Sequence, residues 1–195
     1  MLPVPIKGRH LSQALSKDLP KYFSQDEVKQ ILSEELRQED YKAWFLCLFL
    51  WQTGMRVSEA LSVKVEDIDL MGKALKVKTL KRQNHMRVIP LQNGFVGEIS
   101  LWINQQELKR KDNLFRFNRI TAFNKVRKSC KLAKLNDDRS HPHTFRHSFA
   151  INCIIQSVPV TVLREWLGHR DITKTLIYTQ ILAQDSRVFM ENVRF

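Results

Sequence analysis

The chain has 195 residues, 43% of them hydrophobic and 27% charged, enough to close one globular core with at most a small appendage. It has no apolar run of membrane-spanning length and no N-terminus with the order of a secretory leader, so a cytoplasmic protein is expected. Lys+Arg 32 against Asp+Glu 20 give a formal net charge of +12, the footprint of a protein that meets a polyanion, with nucleic acid the leading candidate.

Residues 1–20 hold three prolines and a glycine among basic and polar residues, which predicts an arm or linker. Ser24-Gln25-Asp26-Glu27 has capping-box spacing, and Val28, Ile31, Leu32 and Leu36 then share one face of a first helix. Tyr41 to Trp51 is almost continuously apolar and predicts a central buried helix that Thr53-Gly54 ends. A short helix over Val57 to Val63 and an acidic turn at Glu66-Asp67-Ile68-Asp69 follow. Ala74 to Leu80 alternates apolar and basic residues, Arg82 to His85 reads as a turn, and Met86 to Leu91 as an apolar strand; together they make a basic β-hairpin.

Apolar residues at helical spacing then recur over Phe95 to Leu108, Thr121 to Leu135, Thr144 to Gln156, Val160 to Leu167, Thr173 to Ile181 and Ser186 to Val193. The fold class expected is mainly α with a small β-hairpin or three-stranded sheet (α+β). Cys47, Cys130 and Cys153 are odd in number and widely spaced in apolar or helical stretches, so they read as buried thiols rather than a disulfide framework. His143 and His147 have the i,i+4 spacing that lets two imidazoles share an ion, with His141 adjacent. No cysteine pair or carboxylate stands at ligand spacing to complete the set, so no metal is expected.

Several short segments carry a more specific signal. Thr53-Gly54-Met55-Arg56-Val57-Ser58-Glu59-Ala60-Leu61 is followed by His143-Thr144-Phe145-Arg146-His147-Ser148-Phe149-Ala150 and by Trp166-Leu167-Gly168-His169, with Tyr178 nine residues beyond His169. In this order, and with the basic hairpin between the first and second, they resemble the signatures of the tyrosine recombinase (phage integrase) family, over nearly the whole chain.

The resemblance implies three segments: an arm or linker over 1–20, a catalytic domain over 21–182 and a tail helix over 183–195 that either docks on a neighbouring protomer or packs on its own domain. It implies a site-specific recombinase, an enzyme that cuts and rejoins DNA through a 3′-phosphotyrosine. Tyr178 would be the nucleophile and Arg56 and Arg146 the charged clamps on the phosphate, where planar guanidiniums suit two parallel hydrogen bonds to non-bridging oxygens. His143 would donate to the same phosphate or assist proton transfer, and His169 would donate to that phosphate. Lys81, at the end of the first hairpin strand, would protonate the leaving 5′ oxygen, with Lys78 as the alternative.

Glu59 and His147 are expected to support these groups, and Lys76, Lys78, Arg82 and Arg87 to contact DNA. The bond energy stays in the protein–DNA link, so no nucleotide or metal cofactor is implied. The partners implied are double-stranded DNA, a homotetramer assembled on it and accessory DNA-bending proteins. Many relatives carry an N-terminal helical domain that completes a clamp around DNA; either that domain is missing here or the chain is similar to short recombinases of the fimbrial-switch type. A non-catalytic DNA-binding relative and a type IB topoisomerase are the alternative readings.

Overall fold

The computed structural model describes residues 20–78, 86–135 and 137–180. Helix α1, Gln25–Ile31, starts where expected: the Ser24 side chain accepts from the Glu27 amide while the Glu27 carboxylate accepts from the Ser24 amide. The single helix expected to run through Leu36 is instead two. The chain leaves α1 at Leu32 and restarts as α2, Glu34–Glu39, because Ser33 caps a second N-terminus by accepting from the Leu36 amide. Asp40 caps the next helix in the same way, through the Ala43 amide at 3.0 Å.

Helix α3, Tyr41–Thr53, is the buried axis of the molecule. Helices α6 (Arg119–Leu132) and α7 (Pro142–Ile155) pack on it, which explains why its apolar residues run all round rather than in a stripe. Phe45 stacks on Trp102 of α5 (Asn93–Gln105) with centroids 4.4 Å apart, and Phe49 meets Phe115 edge to face. Gly54 then ends α3 in the left-handed region, with φ 59°.

Helix α4, Val57–Ser62, and a 3-10 turn at Val65–Asp67 lead into a three-stranded antiparallel sheet of β1 (Ile68–Asp69), β2 (Ala74–Lys78) and β3 (Met86–Pro90), in that spatial order. Leu75 faces Ile89 and Val77 faces Arg87 across the β2–β3 pair. These four residues are buried, while Lys76, Lys78, Met86 and Val88 are exposed. Strand β3 is therefore not uniformly apolar inward: its arginine points into the protein, and Met86 and Val88 point out.

After α7 come α8 (Val160–Leu167) and α9 (Thr173–Leu176). The helix expected to continue to Ile181 tightens to a 3-10 turn at Ile177–Thr179, and Tyr178 lies in that turn. The outcome is a mostly helical domain with a small antiparallel sheet, the fold class expected. The larger core is built around α3. A smaller one gathers Phe149, Ile151, Ile154, Leu163, Leu167 and Tyr178, with Trp51 touching both. The three cysteines are buried free thiols. Among the described residues no helix is long and apolar enough to cross a membrane. Residues 1–19 of the arm expected over 1–20, and the whole tail helix expected over 183–195, lie outside the described residues.

Candidate active site

Two left-handed glycines set the frame. Gly54 closes α3 immediately before Met55-Arg56, and Gly168, φ 65°, closes α8 immediately before His169. At Gly168 the C-terminal turn is doubly bonded, the Gly168 amide to the Glu165 carbonyl and the His169 amide to the Arg164 carbonyl. No larger residue fits at Gly54, where a Cβ would stand 2.2 Å from a Phe149 ring carbon.

Arg146, on α7 and only 3% exposed, ties these two turns together. Its guanidinium donates to the Gly54 carbonyl and to the Leu167 carbonyl, both at 2.8 Å. Both acceptors are at helix C-termini, where carbonyls lack intrahelical partners and favour a cation. Burial, then the repulsion of Arg56, lowers Arg146 to about 10, so it remains charged at neutral pH, with N–H groups left over for a further acceptor.

Arg56 stands at the start of α4, partly exposed, and donates to Glu59 Oε1 at 3.1 Å; the Arg56 amide donates to Glu59 Oε2 at 3.0 Å. The same carboxylate, 3% exposed, is held from the other side by Arg87, whose two terminal nitrogens reach Oε1 and Oε2 at 3.3 and 2.8 Å. Burial alone would raise the Glu59 pKa, but the hydrogen bonds and charge of Arg87, followed by Arg56, outweigh it and hold the carboxyl below its usual range.

Arg87 was expected on the DNA-binding surface and is not there. It is 7% exposed, and its Nε donates to the Trp166 carbonyl at 2.8 Å. The cause is strand parity: Val77, its partner across the ladder, faces the core, so Arg87 must too. Once buried it needs an anion and finds Glu59. A Cβ at Gly168 would lie 3.0 Å from its guanidinium, so the bare glycine also makes room for this arginine.

The histidines surround Arg146. His143 is exposed in the first turn of α7, its pKa lowered by desolvation on its inner side and by Arg146. His169 lies 2.9 Å, through Nδ1, from the Thr175 hydroxyl, and burial followed by Arg146 and Arg56 lowers it to about 4. Tyr178 is 2% exposed, and its hydroxyl lies 2.9 Å from His147 Nδ1. Burial pushes its phenol up, opposed by Arg146 and Arg56. Arg56, Glu59, His143, Arg146, His147, His169 and Tyr178 thus meet where α4, α7, the α8–α9 turn and the last 3-10 turn converge.

On the hairpin, Lys76 and Lys78 are exposed on one face, and Lys78 Nζ lies 3.6 Å from Asp67. Lys81 and Arg82 fall within 79–85 and lie outside the described residues. A model of the phage integrase family matches residues 21–185, which include every one of these positions.

The chain belongs to that family. It is 30% identical over 190 residues to the tyrosine recombinase XerA of Pyrococcus horikoshii, an alignment that covers 92% of this chain and 64% of the relative. Among solved structures, the crystal structure of XerA recombinase superposes with a TM-score of 0.76 at 24% identity, over 91% of this chain and 67% of that one. XerH site-specific recombinase bound to its difH substrate in a pre-cleavage complex gives 0.70 at 23% identity, over 89% and 55%. The chain therefore spans less than two thirds of the length of the XerA relative it matches.

Two features of this phage integrase family member escape a reading of its sequence. Thr175 carries no motif and is identified by its bond to His169 alone. The His147–Tyr178 contact joins residues 31 apart, and no spacing rule on either helix foretells it. Arg87 could have been found from the strict alternation of Leu75, Lys76, Val77 and Lys78, had the strand register been known.

Proposed function

We propose that this phage integrase family member is the catalytic part of a site-specific DNA recombinase, acting on double-stranded DNA through a 3′-phosphotyrosine. The observation that carries the reading is the gathering of Tyr178, two arginines and two further histidines, His143 and His169, around one buried carboxylate-braced corner. A phosphorane gains negative charge as a phenol attacks, so fixed cations and donors aimed at it lower the barrier. Arg146 and Arg56 supply the charge and His143 and His169 the donors. Lys81 protonates the departing 5′ oxygen, with Lys78 the alternative. Residues 21–182 form the catalytic domain, in keeping with the extent of the family match.

The exposed lysines of β2 contact the duplex backbone, strand exchange between two sites is carried out by a homotetramer, and accessory DNA-bending proteins are further partners. Incubating the chain with fragmented DNA and running denaturing electrophoresis tests the reading. The native chain should give a protein–DNA band resistant to denaturation, and Tyr178→Phe none. An equal band from both, or none from the native chain on any fragment, overturns it.

A further inference from the structure

We infer that His147 is a catalytic residue, the acceptor of the Tyr178 hydroxyl proton as that oxygen attacks phosphorus and its donor when the strand is rejoined. The inference rests on the recombinase reading and gives one step of it, the transfer of the phenol proton, to His147 rather than to His143. It starts from the 2.9 Å contact between His147 Nδ1 and Tyr178 Oη. Among the described residues this is the one hydrogen bond the phenol makes, and Tyr178 is 2% exposed. In the arrangement inferred the phenol donates and Nδ1 accepts, because the buried phenol hydrogen has no other acceptor among the described residues, which places the imidazole's own hydrogen on Nε2.

The surroundings keep that lone pair free. Burial, then His143, Arg146 and His141, lowers His147 to about 4, so the ring is neutral at pH 7. In the resting protein, transfer from a phenol with a raised pKa to so weak a base is uphill, and the nucleophile stays protonated. A bound phosphodiester changes both sides. Its negative charge offsets the neighbouring cations that disfavour an imidazolium, and bond formation at Oη makes the phenolic hydrogen strongly acidic.

The step balances. The Oη–P bond forms and the P–O5′ bond breaks; the phenol proton moves to His147 Nδ1, and the leaving oxygen takes a proton from the lysine assigned as general acid. In rejoining, a 5′-hydroxyl attacks the phosphotyrosine, Tyr178 leaves, and the His147 imidazolium returns the proton to Oη. His143 stands one turn earlier on α7, is exposed, and has its ring centroid 6.3 Å from that of His147. It is placed for the phosphate rather than for the phenol.

His147→Asn puts an amide oxygen where Nδ1 stands, so it can accept the hydrogen bond but cannot take the proton. The probe is a nicked duplex made from the DNA fragment that the native chain captures covalently. Cleavage by His147→Asn should fall by about 10² or more, while duplex affinity stays within about twofold of native, because a phosphate-binding role is not removed. Replacing the tyrosines by 3,5-difluorotyrosine, a more acidic phenol, should restore about tenfold or more to the variant and much less to the native chain. A duplex with a sulfur leaving atom at the 5′ position, which relieves loss of an acid, should not restore it.

Full cleavage by His147→Asn, or a slow variant unmoved by fluorotyrosine, overturns the assignment and leaves the recombinase reading standing. No adduct from the native chain overturns both. Nitrogen-15 spectra of the native DNA-free chain give a check that needs no variant: His147 should carry its proton on Nε2, and a proton on Nδ1 overturns the assignment.

Discussion

At the scale of single residues, burial is used here to hold unusual protonation states. His147 and His169 sit at about 4 in the folded protein against an ordinary histidine value of 6.5. Between those values the unfolded chain binds more protons than the folded one, so stability rises with pH through this window and falls on acidification from 6.5 toward 4. With ~1.4 kcal/mol per pK unit, and allowing for partial solvent access, the two together should remove about 2–4 kcal/mol. Urea unfolding at pH 7.0 and 4.5 measures it, and His169→Asn should flatten the slope. Arg87 offers a second test. Arg87→Met leaves the buried Glu59 carboxylate with Arg56 as its remaining partner and should cost about 3 kcal/mol in urea unfolding. Adding Glu59→Gln should recover part of that loss, and strictly additive effects would show that the pair is not coupled.

At the scale of elements, the glycine turns do most to position the site. Gly54→Ala should cost more than the roughly 1–2 kcal/mol of forcing a side chain into the left-handed region, because its Cβ also strikes Phe149. Gly168→Ala should exceed that range by less, since its Cβ would come to 3.0 Å from the Arg87 guanidinium, which Glu59 and the Trp166 carbonyl hold in place, against 2.2 Å from Phe149 at Gly54; thermal unfolding of the two variants ranks them. Both turns were legible in the sequence, as glycines closing helical patterns, and so were α3, the hairpin and the nine-residue step from His169 to Tyr178. What could not be read follows from distance along the chain. Ser33 divides the first helix because local capping wins over a shared apolar face. The alternation of β3, Met86-Arg87-Val88-Ile89, offers either face to the core on its own, and the phase is decided by Leu75 and Val77 on the other strand. The meeting of Tyr178 with His147 depends on how the last turn docks on α7, a tertiary fact that no local period encodes.

At the scale of the whole molecule, the net charge of +12 predicts that affinity for duplex DNA falls steeply with salt. Each phosphate contact removed should lower the slope of log K against log salt by about 0.9. Lys76→Gln with Lys78→Gln should therefore reduce it by up to about 2 while weakening all sequences alike, as fluorescence anisotropy between 50 and 200 mM salt, roughly the range over which such contacts respond, would record. A slope unchanged by both substitutions would place the sheet's basic face away from the duplex.

Arg146 spends two of its donors on the carbonyl ends of α3 and α8, so the side chain assigned to the phosphate is also a keystone of the architecture. Inactivation and collapse should then be hard to separate at this position. In a library of random substitutions sorted first for soluble expression and then for lost strand transfer, changes at the exposed His143 should survive to the second sort. Changes at Arg146 should disappear in the first.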